Sequence, residues 1–427
     1  MQIEEIYQCF LQSTGVCTDT RKITSDCLFV ALKGDNFDAN EFAQQALNQG
    51  AAFAIIDNKK FFTDEDKMLL VPDSLKALQE LAHYHRKELG LPIIALTGSN
   101  GKTTTKELIN TVLSKKYITG ATIGNLNNHI GVPLTLLSFD ENTDIGIVEM
   151  GANHQKEIEM LCTIAEPDYG YITNFGKAHL EGFGGVEGVI KGKSELYNHL
   201  ENHHKTAFVN LDDPIQKEKT EQLTRFTFSL NEKSDVKIDA ISANPMVKIN
   251  FDSLEINSHL IGIYNANNIN AAITIGKYFN VTDTDIKKAI ENYIPSNNRS
   301  QLLEKNGNQI ILDAYNANPS SMAAAIQNFI QLDGSNKIAI LGDMFELGKE
   351  SLDEHKKVVA LLHNETQIET HFIGKDFYSN KTENQHLHFY NSFENFASAF
   401  QNSHPTGKTL LIKGSRGMAL ERTLEII

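Results

Sequence analysis

The chain reads as an α/β protein of three domains: a small α/β unit, a central parallel-sheet domain with a phosphate-binding loop, and a C-terminal Rossmann-like sheet. Three observations predict this. At 427 residues the chain is longer than one core usually organises, since domains run to roughly 100–200 residues. Short apolar runs bounded by Gly or Pro alternate with helical stretches, the pattern of parallel strands covered by helices. A glycine-rich turn also lies between one such strand and a helix.

Within residues 1–89, apolar runs at 28–32 and 52–56 read as strands and 41–47 as a helix. A charged helix over 74–88 then meets Gly90-Leu-Pro92, which marks the first boundary. From Ile93 the order strand, glycine turn, helix repeats, with strands at 93–96, 145–150 and 169–173. A polar stretch at 294–299 breaks the pattern, so the central domain is placed at 90–296 and the last at 297–427. In that last part, apolar runs at 309–313, 337–342, 371–374 and 409–413 predict a second doubly wound sheet.

Composition excludes several functions. Lys plus Arg is 39 against 54 Asp plus Glu, a formal net charge of −15, which disfavours nucleic-acid backbones and anionic membranes. The start, MQIEEIYQCF, is acidic and lacks a signal-peptide apolar core, and no apolar run approaches the roughly 18 residues of a membrane span. The expectation is a cytoplasmic protein without membrane insertion. Cys9, Cys17, Cys27 and Cys162 have no C-x-x-C spacing and read as reduced thiols.

The central motif is Thr97-Gly-Ser-Asn-Gly-Lys-Thr103, between a buried-type strand and a helix. Gly98, Ser99, Asn100, Gly101 and Thr104 supply backbone amides at a helix N-terminus, Lys102 reaches phosphate oxygens, and the Thr103 hydroxyl can ligate Mg²⁺. The strict G-x-x-x-x-G-K-[ST] pattern fails, because Leu96 stands at its first position. A phosphate loop of this kind indicates a nucleoside triphosphate and no particular chemistry. Glu149, at the end of the 145–150 strand, is either a metal ligand or a solvated strand-end carboxylate. His179 lies in a glycine-rich loop and Lys193 in a polar helix start, and neither has an assignable role alone.

Taken together, Thr97–Thr103, Val148-Glu-Met-Gly151, Ala178-His-Leu-Glu181 and Gly192-Lys-Ser-Glu195 resemble the central domain of the Mur ligases and their folylpolyglutamate synthetase relatives. Gly262-Ile-Tyr-Asn-Ala-Asn-Asn268 looks like that family's adenine-side segment, and Asn298-Arg-Ser300 like its arginine at the start of the third domain. Residues 124–135, 313–322 and 341–348 with His355 are similar to the branch that adds D-alanyl-D-alanine to a UDP-N-acetylmuramoyl-tripeptide. Two departures stand out. That branch commonly has Asp-Gly-His-Asp-Phe where this chain has Asp38-Ala-Asn-Glu-Phe42, and an acidic pair where it has Asp313-Ala314.

The resemblance implies an ATP-dependent carbon–nitrogen ligase working through an acyl phosphate, with two Mg²⁺ sites. Lys102 and the loop amides would hold the phosphates, with Thr103 and Glu149 on one Mg²⁺ and His179 with a carbamylated Lys193 on the second. Asn268 would lie by the adenine, with Arg299 and Asp313 near ATP once the third domain closes about a hinge at 297–300. Thr20 and Arg21 fall in the UDP-sugar segment, while Asn125, Asn127, Asn128 and Asn316 fall in the branch-specific substrate segments. Lys413 and Arg416, on a strand-turn, would bind the carboxylate of the incoming dipeptide or merely form a surface turn. A sister ligase adding one amino acid, a folate-polyglutamating enzyme and a non-catalytic nucleotide scaffold are the alternatives. A monomer is expected, and the third residue of the precursor peptide is left open.

Overall fold

The computed structural model describes residues 1–427 except Asn297, Ser335, Asn402 and His404. The first sheet is parallel, in the order Val16–Cys17, Leu28–Val30, Phe53–Ile56 and Met68–Leu70. Its two edge strands were not read from the sequence. The expected helix at 41–47 is a 3₁₀ turn, Ala39–Phe42, running into helix Ala43–Asn48.

Helix Ser74–Leu89 starts where the Asp73 side chain accepts from Lys76 N at 2.9 Å and ends at Gly90 in the left-handed region, φ 62°. One side of it meets helix Ile3–Leu11, where the Tyr7 hydroxyl bonds His85 Nδ1 at 3.2 Å. Its other side is tied to the central domain. His85 Nε2 reaches Phe139 O at 2.9 Å, Arg86 Nε donates to Ala165 O at 3.0 Å, and the Arg86 guanidinium pairs with Asp168 at 2.8 Å.

The central sheet has seven parallel strands, in the order Val236–Lys237, Thr224–Ser229, Thr206–Asn210, Tyr169–Ile172, Ile93–Thr97, Ile145–Glu149 and Thr119–Ala121. All five residues of Ile93–Thr97 are buried. The chain leaves this strand for the Thr119–Ala121 edge and later returns to its other side, so the strand order reverses around it. Such reversal points are where open α/β sheets bind ligands, beyond the strands' carboxyl ends. A three-stranded antiparallel sheet, Ala240–Ala243, Met246–Phe251 and Leu254–Ile261, was not anticipated.

The last sheet runs Gln301–Lys305, Asn308–Asp313, Thr409–Lys413, Lys337–Gly342, Ile368–Ile373 and Leu387–Tyr390. The first strand is an antiparallel hairpin edge and the rest are parallel. The expected boundary and hinge begin at Asn297, outside the described residues. Among the described residues no helix is long and apolar enough to cross a membrane.

Candidate active site

The phosphate loop is shaped by two glycines. Gly98 sits at φ 138°, and a Cβ there would lie 2.0 Å from Thr173 Oγ1; Gly101, at φ 79°, presses on Asn268, whose Oδ1 would be 2.5 Å away. The strand Tyr169–Ile172 and the residues after it clamp the loop. Ser99 N donates to Asn174 O at 3.0 Å, Ser99 Oγ to Gly176 O at 2.7 Å, and Thr173 Oγ1 to Asn100 O at 2.6 Å. Helix Lys102–Leu113 follows, its first-turn amides directed at the same space. Lys102 Nζ curls back to Gly98 O at 2.8 Å. Burial holds the Lys102 ammonium below the usual lysine range, with Arg299 adding to the depression and Glu149 opposing it.

Glu149 ends strand Ile145–Glu149 and is 1% exposed. Its Oε1 accepts from Asn127 Nδ2 at 2.8 Å, whereas its buried Oε2 has no protein partner among the described residues. A buried carboxylate oxygen left open beside a phosphate loop, with the Thr103 hydroxyl also on the cavity, fits a hard divalent cation. Among the described residues no three His, Cys, Asp or Glu side chains converge as a protein cage. Magnesium needs none, since it is usually held by one or two carboxylates, water and substrate phosphates. Lys106, one turn beyond Lys102, is buried and donates to Thr122 O at 2.6 Å, while Thr122 Oγ1 accepts from Glu149 N at 2.9 Å. Lys106 therefore fastens the strand end that presents Glu149. In the sequence it is one residue of a helical run, with nothing local to mark it.

The third domain closes the opposite wall of a cavity of about 740 Å³. Arg299 lies flat on Tyr315, its guanidinium carbon 3.6 Å from the ring centroid, with a buried Nε that has no partner among the described residues. Asp313 accepts from Ser300 N at 3.1 Å and pairs with Lys413 Nζ at 2.5 Å. Asn318 caps helix Pro319–Gln331 and donates to Asn100 Oδ1 at 2.7 Å, so this helix N-terminus meets the phosphate loop. Lys177 N donates to Ser320 Oγ at 2.8 Å, and Lys177 Nζ pairs with Glu354 at 2.9 Å. Asn318, Ser320, Tyr315 and Glu354 were assigned no role from the sequence, because their partners lie far away along the chain.

Of the expected site residues, the cavity is lined by the whole loop from Ser99 to Thr104, by Asn125, Asn127 and Asn128, and by Glu149, His179 and Asn268. Arg299, Asp313, Asn316 and Lys413 line it from the third domain. Gly98, Lys193, Thr20, Arg21 and Arg416 do not. Gly98 shapes the loop from behind. Arg21 pairs with Asp19 at 2.8 Å on the first domain, and Arg416 pairs with Glu421 at 2.9 Å on the surface. Asn268, expected near the adenine, bonds Thr105 Oγ1 at 3.0 Å and packs behind Gly101. Lys413, expected to be available to a dipeptide carboxylate, is 2% exposed and already engaged by Asp313.

His179 adopts a left-handed φ of 52°, and its Nδ1 bonds the Glu346 carboxylate of the third domain. Burial lowers its pKa below the usual histidine value and Lys102 lowers it further, while Glu346 opposes them. Lys193, on helix Val186–Asn202, is 1% exposed, donates to Ala152 O at 3.1 Å and lies 4.9 Å over the Phe183 ring. Burial pushes its pKa well below the ordinary lysine range, with the Lys102 charge adding to the effect. The departing segment at 38–42 has become structural, since Asn40 is 1% exposed and donates to Asp38 and Asp57 at 2.6 and 2.8 Å.

Comparison with known proteins agrees with this architecture. Residues 96–276 match the Mur ligase middle domain, and residues 298–416 match the model described as Mur ligase, glutamate ligase domain. A UDP-N-acetylmuramoyl-tripeptide–D-alanyl-D-alanine ligase from Bacillus subtilis is 35% identical over 96% of this chain and 92% of its own length. The crystal structure of a MurF from Acinetobacter baumannii superposes with a TM-score of 0.87 at 31% identity, covering 99% of this chain and 97% of that one. The MurF ligase from Thermotoga maritima in complex with ADP gives 0.85 at 27% identity, over 98% and 97%. Likeness of this reach, from the first sheet through the last, makes the chain a member of the Mur ligase family.

Proposed function

We propose that the chain joins D-alanyl-D-alanine to the terminal carboxylate of a UDP-N-acetylmuramoyl-tripeptide, converting ATP to ADP and phosphate, as a cytoplasmic step of peptidoglycan precursor synthesis. The observation that carries the reading is the single cavity in which the phosphate loop and Glu149 face Arg299 and Asp313. Near-full-length relatives bearing that name, and the ADP held by one similar structure, support the substrates.

A precursor carboxylate oxygen attacks the γ-phosphorus, the bond to ADP breaks, and an acyl phosphate forms. The dipeptide amine then attacks the acyl carbon, phosphate leaves, and the amine gives up a proton. Negative oxygens crowd together in the first step, so fixed donors and cations matter most there. Lys102 and the loop amides bind the phosphates, and Arg299, presented flat on Tyr315 with an open Nε, neutralises them from the third domain. Thr103 and Glu149 would hold one Mg²⁺, and His179 with a carbamylated Lys193 a second. Bound there, the ions would screen the charge that builds between carboxylate and phosphate. Asn268 supports the nucleotide side, with Asp313 near ATP. The asparagines at 125, 127, 128 and 316 serve substrate binding, and Thr20 and Arg21 the UDP-sugar.

The test is phosphate release from ATP and Mg²⁺ with the muramoyl-tripeptide, comparing D-alanyl-D-alanine with single amino acids. Turnover confined to the dipeptide is expected. Turnover with one amino acid on a shorter precursor would move the chain to a sister branch.

A further inference from the structure

We propose that Glu346 is the positioning residue for His179: its carboxylate, brought in by the third domain, holds the imidazole with Nδ1–H outward and the Nε2 lone pair facing the cavity. The inference rests on the ligase reading above. Glu346 lies 167 residues from His179 and in a different domain, yet its carboxylate is on His179 Nδ1. Among the described residues it forms no other ion pair. An ionised carboxylate can only accept, so Nδ1 must donate, and the neutral ring then has its lone pair on Nε2.

The contact is built, and the backbone shows it. Glu346 is held at a left-handed φ of 62°. The loop carrying it is pinned on both sides: Met344 N donates to the fully buried His355 Nε2 at 3.0 Å, and Phe345 N donates to Ser415 Oγ at 2.9 Å. Across the gap, Glu181 N donates to Glu346 O at 3.2 Å, and Gly348 sits against the Glu181 side chain, where a Cβ would come within 3.2 Å. Two residues in left-handed conformations, His179 and Glu346, thus face each other between loops that also share a backbone bond. A surface ion pair of ordinary worth needs none of this support. A carboxylate on the far nitrogen of an imidazole is the usual way a protein fixes which nitrogen serves the site. Because this carboxylate arrives with the third domain, His179 acquires its working orientation only when that domain is docked.

The experiment follows the ¹⁵N resonances of His179 in the full-length enzyme at pH 8, with saturating ADP and no added metal, assigned by their loss in His179→Gln. Wild type should show Nδ1 protonated and Nε2 bare. Glu346→Ala should show mixed tautomers and lose roughly 10- to 100-fold in kcat, the usual effect of removing such a partner. KM for ATP should stay within about twofold if phosphate binding is untouched. Glu346→Gln, whose amide oxygen still accepts, should restore the tautomer and most of kcat. A wild-type ring protonated on Nε2 overturns the proposal without reference to any variant. So does an unchanged tautomer or an unchanged kcat in Glu346→Ala. The tautomer reading needs neither precursor nor dipeptide, so a wrong ligase reading would appear separately, as absent turnover with the pairing intact.

Discussion

Removing the Asp313 carboxylate should destabilise the third domain far more than removing the Lys413 ammonium to which it is paired. The two stand directly opposite on neighbouring parallel strands, Asn308–Asp313 and Thr409–Lys413. Their surroundings differ. The Lys413 side chain is 2% exposed and Asp313 16%. Without Asp313, the ammonium keeps only Asn316 O at 3.3 Å. Asp313→Ala therefore leaves a nearly isolated buried charge, which costs about 3–5 kcal/mol. Lys413→Met keeps most of the apolar stem and leaves a carboxylate that still accepts from Ser300 N and reaches the cavity, a loss of about 1–2 kcal/mol. The double variant, with neither charge, should be more stable than Asp313→Ala alone. Since the chain has no tryptophan, the assay is amide hydrogen exchange resolved to peptides spanning 308–313 and 409–413, read as local opening free energies. Equal losses in the two single variants, or a double variant worse than Asp313→Ala, would refute the argument from burial.

Three further outcomes are expected. Lys193→Ala should abolish dipeptide-dependent phosphate release while the exposed Lys191→Ala retains it; the reverse result would move the carbamate to Lys191. Gly98→Ala forces an L-residue to φ 138° with its Cβ 2.0 Å from Thr173 Oγ1, a strain of roughly 1–3 kcal/mol. The loop must shift, and kcat should fall by about 10²-fold or more with circular dichroism unchanged; activity within threefold of wild type would contradict the role given to this glycine. His85 is buried and its pKa is lowered, chiefly by burial. The unfolded chain therefore takes up this proton first, near pH 6.5, and stability present above that pH is lost as pH falls toward the folded value. Tm should drop between about pH 7 and pH 5, and His85→Asn should flatten part of that slope; an identical slope would show that His85 takes up its proton at the same pH folded and unfolded, against the argument from burial.

What the sequence made legible was local. The phosphate loop, its flanking strand and helix, and the carboxylate at the end of 145–150 are contiguous patterns whose chemistry follows from spacing. The strands Met246–Phe251 and Leu254–Ile261 alternate buried and exposed residues, so their period was there to read, but the surrounding alternation of strands and helices hid it. The edge strands Val16–Cys17 and Met68–Leu70 span only two and three residues, too few to show any period. The fate of Lys413 could not be read at all, because its partner lies 100 residues away and only the pairing of two strands brings them together. Glu346 and Asn318 are further cases: each stood in a recognised segment, yet the contact that gives it a purpose crosses domains.

Helix Ser74–Leu89 carries a consequence for how this molecule can be observed. It is bonded to the first helix through Tyr7 and to the central domain through His85 and Arg86. Two of the three domains are thereby joined as one anvil. Any motion of the third domain is then motion relative to that one body. One dye pair, with one fluorophore on the anvil and one on the third domain, would then report the whole conformational coordinate, and a second pair between the first two domains should read as a constant.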